Sequence, residues 1–190
     1  MADSSESGEE SLYQPIMESL RIAFSGYIQS KPLYQSRPSE PDNPYLEITA
    51  NRKISPLLQQ VFDDDTFVML SAEEKAPDIM GYVKRKPSSK PELVTVEVKD
   101  RGVRFLDIAQ ARLYQDIFKS SFGLLISSHT LNERKVRFLN DEIGKSIQGR
   151  VIICHYEEHL FPSGNKKVGV LKINPRFKYS TPQPFRRYCE

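Results

Sequence analysis

Two hydrophobic patterns alternate along the chain, one with the spacing of a helix face and one with the short apolar runs of strands. Helical spacing predicts helices over residues 9–24, 56–62, 107–119 and 131–147. The second of these follows Ser55 and begins with Pro56, residue types preferred at the N-cap and the first helical position. The last two carry inward-facing apolar stripes, formed by Ala109, Leu113 and Ile117 and by Val136, Leu139, Ile143 and Ile147.

Short apolar or alternating runs predict six strands, over residues 66–71, 78–84, 92–99, 122–127, 151–156 and 168–173. The second and third flank a basic loop that contains two prolines, which predicts a hairpin. Consecutive strands pair antiparallel, whereas strand–helix–strand crossovers give parallel pairs. The order of the elements therefore predicts an α/β fold with a mixed sheet and helices on its faces.

The length of 190 residues favours one domain with tails. We assign residues 9–175 to the α/β domain, residues 1–8 to a disordered acidic tail, and residues 176–190 to a basic tail rich in proline and aromatic residues. With 38% hydrophobic and 27% charged residues, the composition argues against fibrous, membrane and wholly disordered proteins. No apolar stretch reaches the length of a membrane span, and two distant cysteines fit a reducing compartment. These features predict a cytoplasmic protein.

The net charge is only +2, but the charges are unevenly distributed. The start of the chain is acidic, the end is basic, and a second basic cluster lies at Lys84, Arg85, Lys86 and Lys90. Such asymmetry is typical of a face that binds a polyanion, because phosphate contacts supply most nucleic-acid affinity. Basic loops that are merely solvated would look the same.

The predicted strand 92–99 places two charged residues on one face of the sheet. Side chains of a strand alternate between faces, so its three inner valines point to one side while Glu97 and Lys99 point to the other. This strand is flanked by others and precedes a helical crossover, which predicts a central position in the sheet. On a partly buried face, a glutamate and a lysine must pair with each other or serve a function.

A second carboxylate is expected beside this pair. Asp78 opens the preceding strand of the predicted hairpin, so it should lie beside the end of the next strand, where Glu97 and Lys99 are. Carboxylate oxygens suit a hard divalent cation, which predicts a Mg²⁺ or Mn²⁺ site. The metal would activate a water and stabilise charge on a phosphoryl oxygen, and Lys99 would orient that water or stabilise the developing charge.

Pro77-Asp78, then Glu97-Val98-Lys99 one strand later, together with the order of elements, resemble the PD-(D/E)XK nuclease superfamily, with its restriction-endonuclease-like fold. The resemblance covers roughly residues 9–156. It implies an α-β-β-β-α-β core and a Mg²⁺- or Mn²⁺-dependent nuclease that hydrolyses phosphodiester bonds, most often in DNA. It also implies Asp78 and Glu97 as metal ligands, the Val98 carbonyl as a further ligand, and Lys99 as the catalytic lysine. Homodimers are common in this superfamily, so a homodimer is an expectation by analogy.

Two features found in parts of the superfamily extend the resemblance. A glutamate on the first helix would correspond here to Glu10 or Glu18. A Gln-x-x-x-Tyr pattern on the helix after the lysine strand, as in RecB-like nucleases, is matched by Gln110 and Tyr114, which share a helix face. These two residues are candidate substrate contacts, as are Lys84, Arg85 and Lys86 of the basic loop.

Each motif also has a plainer interpretation. Glu97 and Lys99 could form an ion pair of little consequence, and Asp78 could cap a turn after Pro77. Gln110 and Tyr114 could be ordinary packing residues of an amphipathic helix. The chain could accordingly be a non-catalytic nucleic-acid-binding or scaffold protein that keeps the nuclease fold, or an unrelated α/β protein. Convergence of the Asp78 and Glu97 carboxylates in the folded chain is the observation that separates these interpretations.

Overall fold

A computed structural model describes residues 6–29, 43–62, 76–84, 90–160 and 167–173 of the chain. Its helices are α1 (Glu6–Gln29), α2 (Pro56–Gln59), α3 (Phe105–Ile117), α4 (Glu133–Asn140) and α5 (Glu142–Gln148). Its strands are β1 (Tyr45–Ile48), β2 (Ile79–Val83), β3 (Glu92–Lys99), β4 (Phe122–Ser127), β5 (Ile152–Leu160) and β6 (Lys167–Ile173).

The strands form a single six-stranded sheet in the order β1-β2-β3-β4-β5-β6. The first three strands pair antiparallel, β3, β4 and β5 pair parallel, and β6 pairs antiparallel with β5. Helix α3 connects β3 to β4, and helices α4 and α5 connect β4 to β5. The predicted α/β class, with a mixed sheet and flanking helices, is therefore confirmed.

Opposite faces of the sheet pack against different helices. The valines of β3 lie in one buried cluster with Ile16, Leu20 and Phe24 of α1, so the predicted alternation of this strand is confirmed. Leu125 of β4 packs on the other face, against Ile108 of α3 and residues of α4. Glu97 is the register partner of Leu125. The charged residues of β3 consequently lie on the α3 side of the sheet.

The N-terminal part of the fold differs from the prediction in two places. Helix α1 begins at Glu6 instead of Glu9 and includes Pro15 in its interior. The prediction missed the first turn because residues 6–8 carry no apolar side chain that periodicity could detect. Part of the predicted disordered tail is thus helical, while residues 1–5 lie outside the described residues. The first strand of the sheet is β1, which was not predicted; the predicted strand 66–71 lies outside the described residues.

The apolar stripe predicted for α3 is wrong. Leu113 is 54% exposed, because α3 buries instead a face that contains Asp107 and Gln115, which a purely apolar pattern overlooks. The stripe predicted within residues 131–147 is confirmed at Val136, Leu139 and Ile147, which pack in one buried cluster, and is wrong only at Ile143. The predicted helix 131–147 breaks at Asp141, whose extended backbone and carboxylate cap a new helix at the Gly144 N–H. The break leaves Ile143 67% exposed.

Two further expectations concern the membrane and cysteine chemistry. No helix in the described residues is both long and apolar enough to cross a membrane. Cys154 is buried within β5. Cys189 lies outside the described residues.

Candidate active site

The hairpin of β2 and β3 brings Asp78 to the end of β3. Ile79 is the register partner of Val96, so Asp78, one residue earlier, lies beside Glu97. Its Oδ2 accepts a hydrogen bond from the Val98 N–H at 2.7 Å. In a strand, the N–H and C=O of one residue point towards the same neighbouring strand. The Val98 carbonyl is therefore directed to the side where β2 has ended and Asp78 stands.

Glu97 and Lys99 form a buried ion pair beside Asp78. The Lys99 Nζ lies 2.9 Å from the Glu97 Oε1, and the two residues are only 8% and 3% exposed, respectively. Burial alone would lower the pKa of Lys99, but the negative charges of Glu97, Asp78 and Glu9 raise it above the ordinary value. The lysine is consequently held as an ammonium group at neutral pH.

The two carboxylates carry more negative charge than the protein around them compensates. The Glu97 Oε2 is buried and finds no hydrogen-bond partner in the described part of the chain. Desolvation, followed by the charge of Asp78, raises the pKa of Glu97 to about 8. Desolvation also raises the pKa of Asp78, against the opposing effects of the Val98 N–H and Lys99. A buried polar atom without a partner is an unfavourable arrangement that a bound cation would relieve.

Helix α1 contributes two side chains to this cluster. The Tyr13 hydroxyl donates to the Asp78 Oδ1 at 3.0 Å, and desolvation together with Asp78 raises the tyrosine pKa, so the phenol stays a donor. The Glu9 Oε2 lies 3.4 Å from the Lys99 Nζ. The helix can approach closely because residue 8 is glycine; a Cβ there would overlap the Asp100 carboxylate.

Of the glutamates on α1, Glu9 is the one that contacts Lys99, whereas the resemblance pointed to Glu10 or Glu18. Glu9 precedes Tyr13 by four residues and so shares its face of α1, whereas Glu18 follows Tyr13 by five and points elsewhere. Glu18 accepts from the Gln14 amide on an exposed surface and does not line the cleft described below. Glu10 does line that cleft, but its carboxylate makes no ion pair with Lys99 among the described contacts.

Gln110 and Tyr114 of α3 lie close to the cluster. The Gln110 Nε2 donates to the Tyr114 hydroxyl at 3.2 Å, so the pair is locally hydrogen-bonded across one helical turn. Tyr114 is buried, and desolvation raises its pKa. Both side chains line the cleft that contains Asp78, Glu97 and Lys99.

This cleft has a volume of about 330 Å³ and an acidic lining. Its carboxylates are those of Glu9, Glu10, Asp78 and Glu97. Its cations are Lys99 and Arg52, a residue of the turn after β1 that belongs to none of the sequence motifs. Glu9, Tyr13 and Arg52 were all missed, because they belong to no sequence pattern that names their role.

Lys84, the first residue of the basic loop, lies far from the cleft. Lys84 follows β2 at the end opposite Asp78, roughly 20 Å away for six extended residues at about 3.3 Å each. Its ammonium lies 5.6 Å from the centroid of the Tyr82 ring. The structure therefore does not bring Lys84 to the candidate catalytic residues, and Arg85 and Lys86 lie outside the described residues.

The donor set fits a magnesium-like ion held mainly by water. In the part of the chain that is described, no group of three acidic, histidine or cysteine side chains is arranged to enclose a metal. Mg²⁺ usually keeps several of its waters and needs only one or two protein carboxylates. The unpartnered Glu97 oxygen and the adjacent Asp78 carboxylate meet that requirement.

Comparison of the chain with protein-family models, with curated proteins and with solved structures finds no match.

Proposed function

We propose that this protein is a Mg²⁺- or Mn²⁺-dependent nuclease with a restriction-endonuclease-like fold, which hydrolyses phosphodiester bonds of DNA. One observation carries the proposal: a buried Glu97 oxygen without a described partner stands beside Asp78 and Lys99 in an open acidic cleft. DNA as the substrate rests on the motif resemblance. A cytoplasmic location and a homodimer stay predictions.

Asp78 and Glu97 are the residues that would hold the metal, with the Val98 carbonyl as a further ligand on the same side. When bound, the ion supplies an activated water and neutralises charge on the phosphoryl oxygens. Tyr13 fixes the orientation of Asp78 through its 3.0 Å hydrogen bond. Gln110 and Tyr114 form the neighbouring wall, where they can donate to the substrate backbone.

Lys99 acts as a cation in this proposal. Its raised pKa keeps the amine protonated at neutral pH, so it is a poor general base. An ammonium group at this position orients the attacking water and stabilises negative charge that develops in the transition state. Its contact with Glu97 holds it beside the reacting atoms.

The test is a cleavage assay with single-stranded, duplex and branched DNA in the presence of Mg²⁺ or Mn²⁺. We expect cleavage of at least one substrate, its loss in EDTA, and a roughly 100- to 1000-fold slower rate for Lys99→Ala. Lys53→Ala, which removes an exposed lysine outside the cleft, serves as the matched control and should retain the rate. Equal cleavage by the wild type and Lys99→Ala would remove Lys99 from the mechanism.

The alternative function is binding without catalysis. The Lys99 ammonium is already engaged by Glu97 at 2.9 Å and by Glu9 at 3.4 Å, as in a purely structural ion cluster. A protein of this kind would bind DNA but cut none of the three substrates with either metal. That outcome would refute the nuclease function and support a nucleic-acid-binding protein.

A further inference from the structure

Arg52 is the cation of the cleft that has not been given a role. It follows β1 and lines the same cavity as Asp78, Glu97 and Lys99. Lys99 is bonded to two carboxylates, whereas no salt bridge of Arg52 occurs among the described residues. Its guanidinium is therefore available to a ligand, although the surrounding carboxylates give the cleft an acidic lining.

The backbone at Arg52 is in the left-handed region, with φ of 61°. Its N–H closes a four-residue turn by donating to the Thr49 carbonyl at 2.7 Å. Glycine adopts this conformation without the steric penalty that a Cβ imposes, and it is favoured at the last position of such turns. Arginine thus occupies a backbone conformation that favours glycine. Residues held in such strained backbone conformations are concentrated at functional sites.

The turn is tied directly to the main chain at Asp78. The Asp78 carbonyl accepts hydrogen bonds from the N–H groups of Thr49 at 2.8 Å and Ala50 at 3.2 Å. The Thr49 hydroxyl donates to the Pro77 carbonyl at 2.7 Å, and this bond is buried. The position of Arg52 along the cleft is accordingly coupled to the position of the proposed metal ligand Asp78.

A polyanion that enters this cleft meets four carboxylates, so it needs a compensating cation that is not already paired. A guanidinium offers phosphate two parallel N–H donors, and it is always charged. We infer that Arg52 binds a phosphate of the DNA substrate next to the phosphodiester group that is cleaved. This contact fixes which phosphate of the DNA strand lies over Asp78 and Glu97. This inference rests on the proposed nuclease function for the identity of the phosphate, and on the geometry of the turn for the residue.

The variant that tests it is Arg52→Gly, which removes the guanidinium and relieves the left-handed backbone, so it should melt at or above the wild-type temperature. The probe is a short fluorescent DNA duplex, followed by anisotropy with Ca²⁺ in place of Mg²⁺ over a range of salt concentrations. We expect roughly tenfold weaker binding at low salt and a salt dependence reduced by about one unit of slope. Arg52→Lys, which keeps the charge but loses the two-pronged donor, should fall between the two.

Lys53→Ala is the matched control, because it removes one positive charge from the adjacent, exposed residue that does not line the cleft. It should leave the affinity and the salt slope close to those of the wild type. Equal affinities and slopes for Arg52→Gly and the wild type would overturn the inference, as would equal losses for Arg52→Gly and Lys53→Ala. A wild type that binds no DNA overturns it as well.

Cleavage measured in parallel separates this inference from the proposed function. If DNA binding depends on Arg52 but no DNA is cleaved, the phosphate contact is supported and the nuclease function is refuted. If DNA is cleaved but its binding is unaffected by Arg52→Gly, the nuclease function is supported and the phosphate contact is refuted.

Discussion

Replacement of Glu97 by glutamine should stabilise the protein in the absence of metal. The glutamine keeps the shape of the side chain and resembles a permanently protonated glutamate. In the wild type, burial and the neighbouring Asp78 charge raise the pKa of Glu97 from 4.5 to about 8. Folding therefore favours the protonated form, and ionisation of Glu97 opposes folding as the pH rises above 4.5.

The expected gain follows from this shift. At roughly 1.4 kcal/mol per pKa unit, ionisation of Glu97 in the unfolded chain lowers the stability of the wild type by about 1 kcal/mol at pH 5 and by roughly 2–4 kcal/mol at pH 7.5. The lower end of the second range allows for sharing of the charge between Glu97 and Asp78. For a chain of this length, each kcal/mol changes the melting temperature by about 2–4 °C. Glu97→Gln should thus melt about 5–15 °C higher at pH 7.5, and only about 2–4 °C higher at pH 5.

The assay is thermal unfolding in EDTA, followed by circular dichroism between pH 5 and pH 8. Glu18→Gln makes the same chemical change on an exposed face of α1, where the carboxylate accepts a hydrogen bond from the Gln14 amide. This control should stay within about 0.5 kcal/mol of the wild type at every pH. A melting temperature of Glu97→Gln that is at or below that of the wild type at pH 7.5, or a difference that does not grow with pH, would refute the reasoning.

Two other substitutions probe the same cluster. Asp78→Asn should melt at or above the wild-type temperature in EDTA, because it removes one of two close carboxylates. Added Mg²⁺ should raise the melting temperature of the wild type more than that of the variant. A clear loss of stability without metal, together with equal responses to Mg²⁺, would mean that Asp78 is only a turn residue. Tyr13→Phe should cost about 1.5–3 kcal/mol, because it removes a buried hydrogen bond to a carboxylate, and should weaken Mg²⁺ binding by roughly tenfold or more in titration calorimetry. An unchanged Mg²⁺ affinity would show that Tyr13 does not orient Asp78 for a metal.

Local sequence patterns predicted much of the sheet correctly. The strands β2 and β3 and the apolar run of β4 were found within one residue of their bounds, because strand alternation and buried runs are properties of a few consecutive residues. The parallel and antiparallel pairings followed from the order of the elements. The proximity of Asp78, Glu97 and Lys99 was predicted for the same reason, since a hairpin places the start of one strand beside the end of the next.

The orientation of the helices was not predictable in this way. The face of α3 that packs on the sheet includes Asp107 and Gln115, while Leu113 is exposed. Asp107 can be buried because it is satisfied by the Arg104 N–H at 2.7 Å and by the Arg101 guanidinium. A periodicity that counts only apolar residues assigns such a face to solvent.

The sequence by itself determined the α/β class, the pairing of the central strands and the carboxylate–lysine cluster at the end of β3. Only the tertiary structure decided which helix residues complete that cluster. Tyr13 meets Asp78 across 65 residues of chain, and Glu9 meets Lys99 across 90. Likewise, the turn that carries Arg52 donates two backbone hydrogen bonds to the Asp78 carbonyl. Contacts of this kind depend on how α1 and the β1 turn pack over the sheet, and no period within a single element encodes that packing.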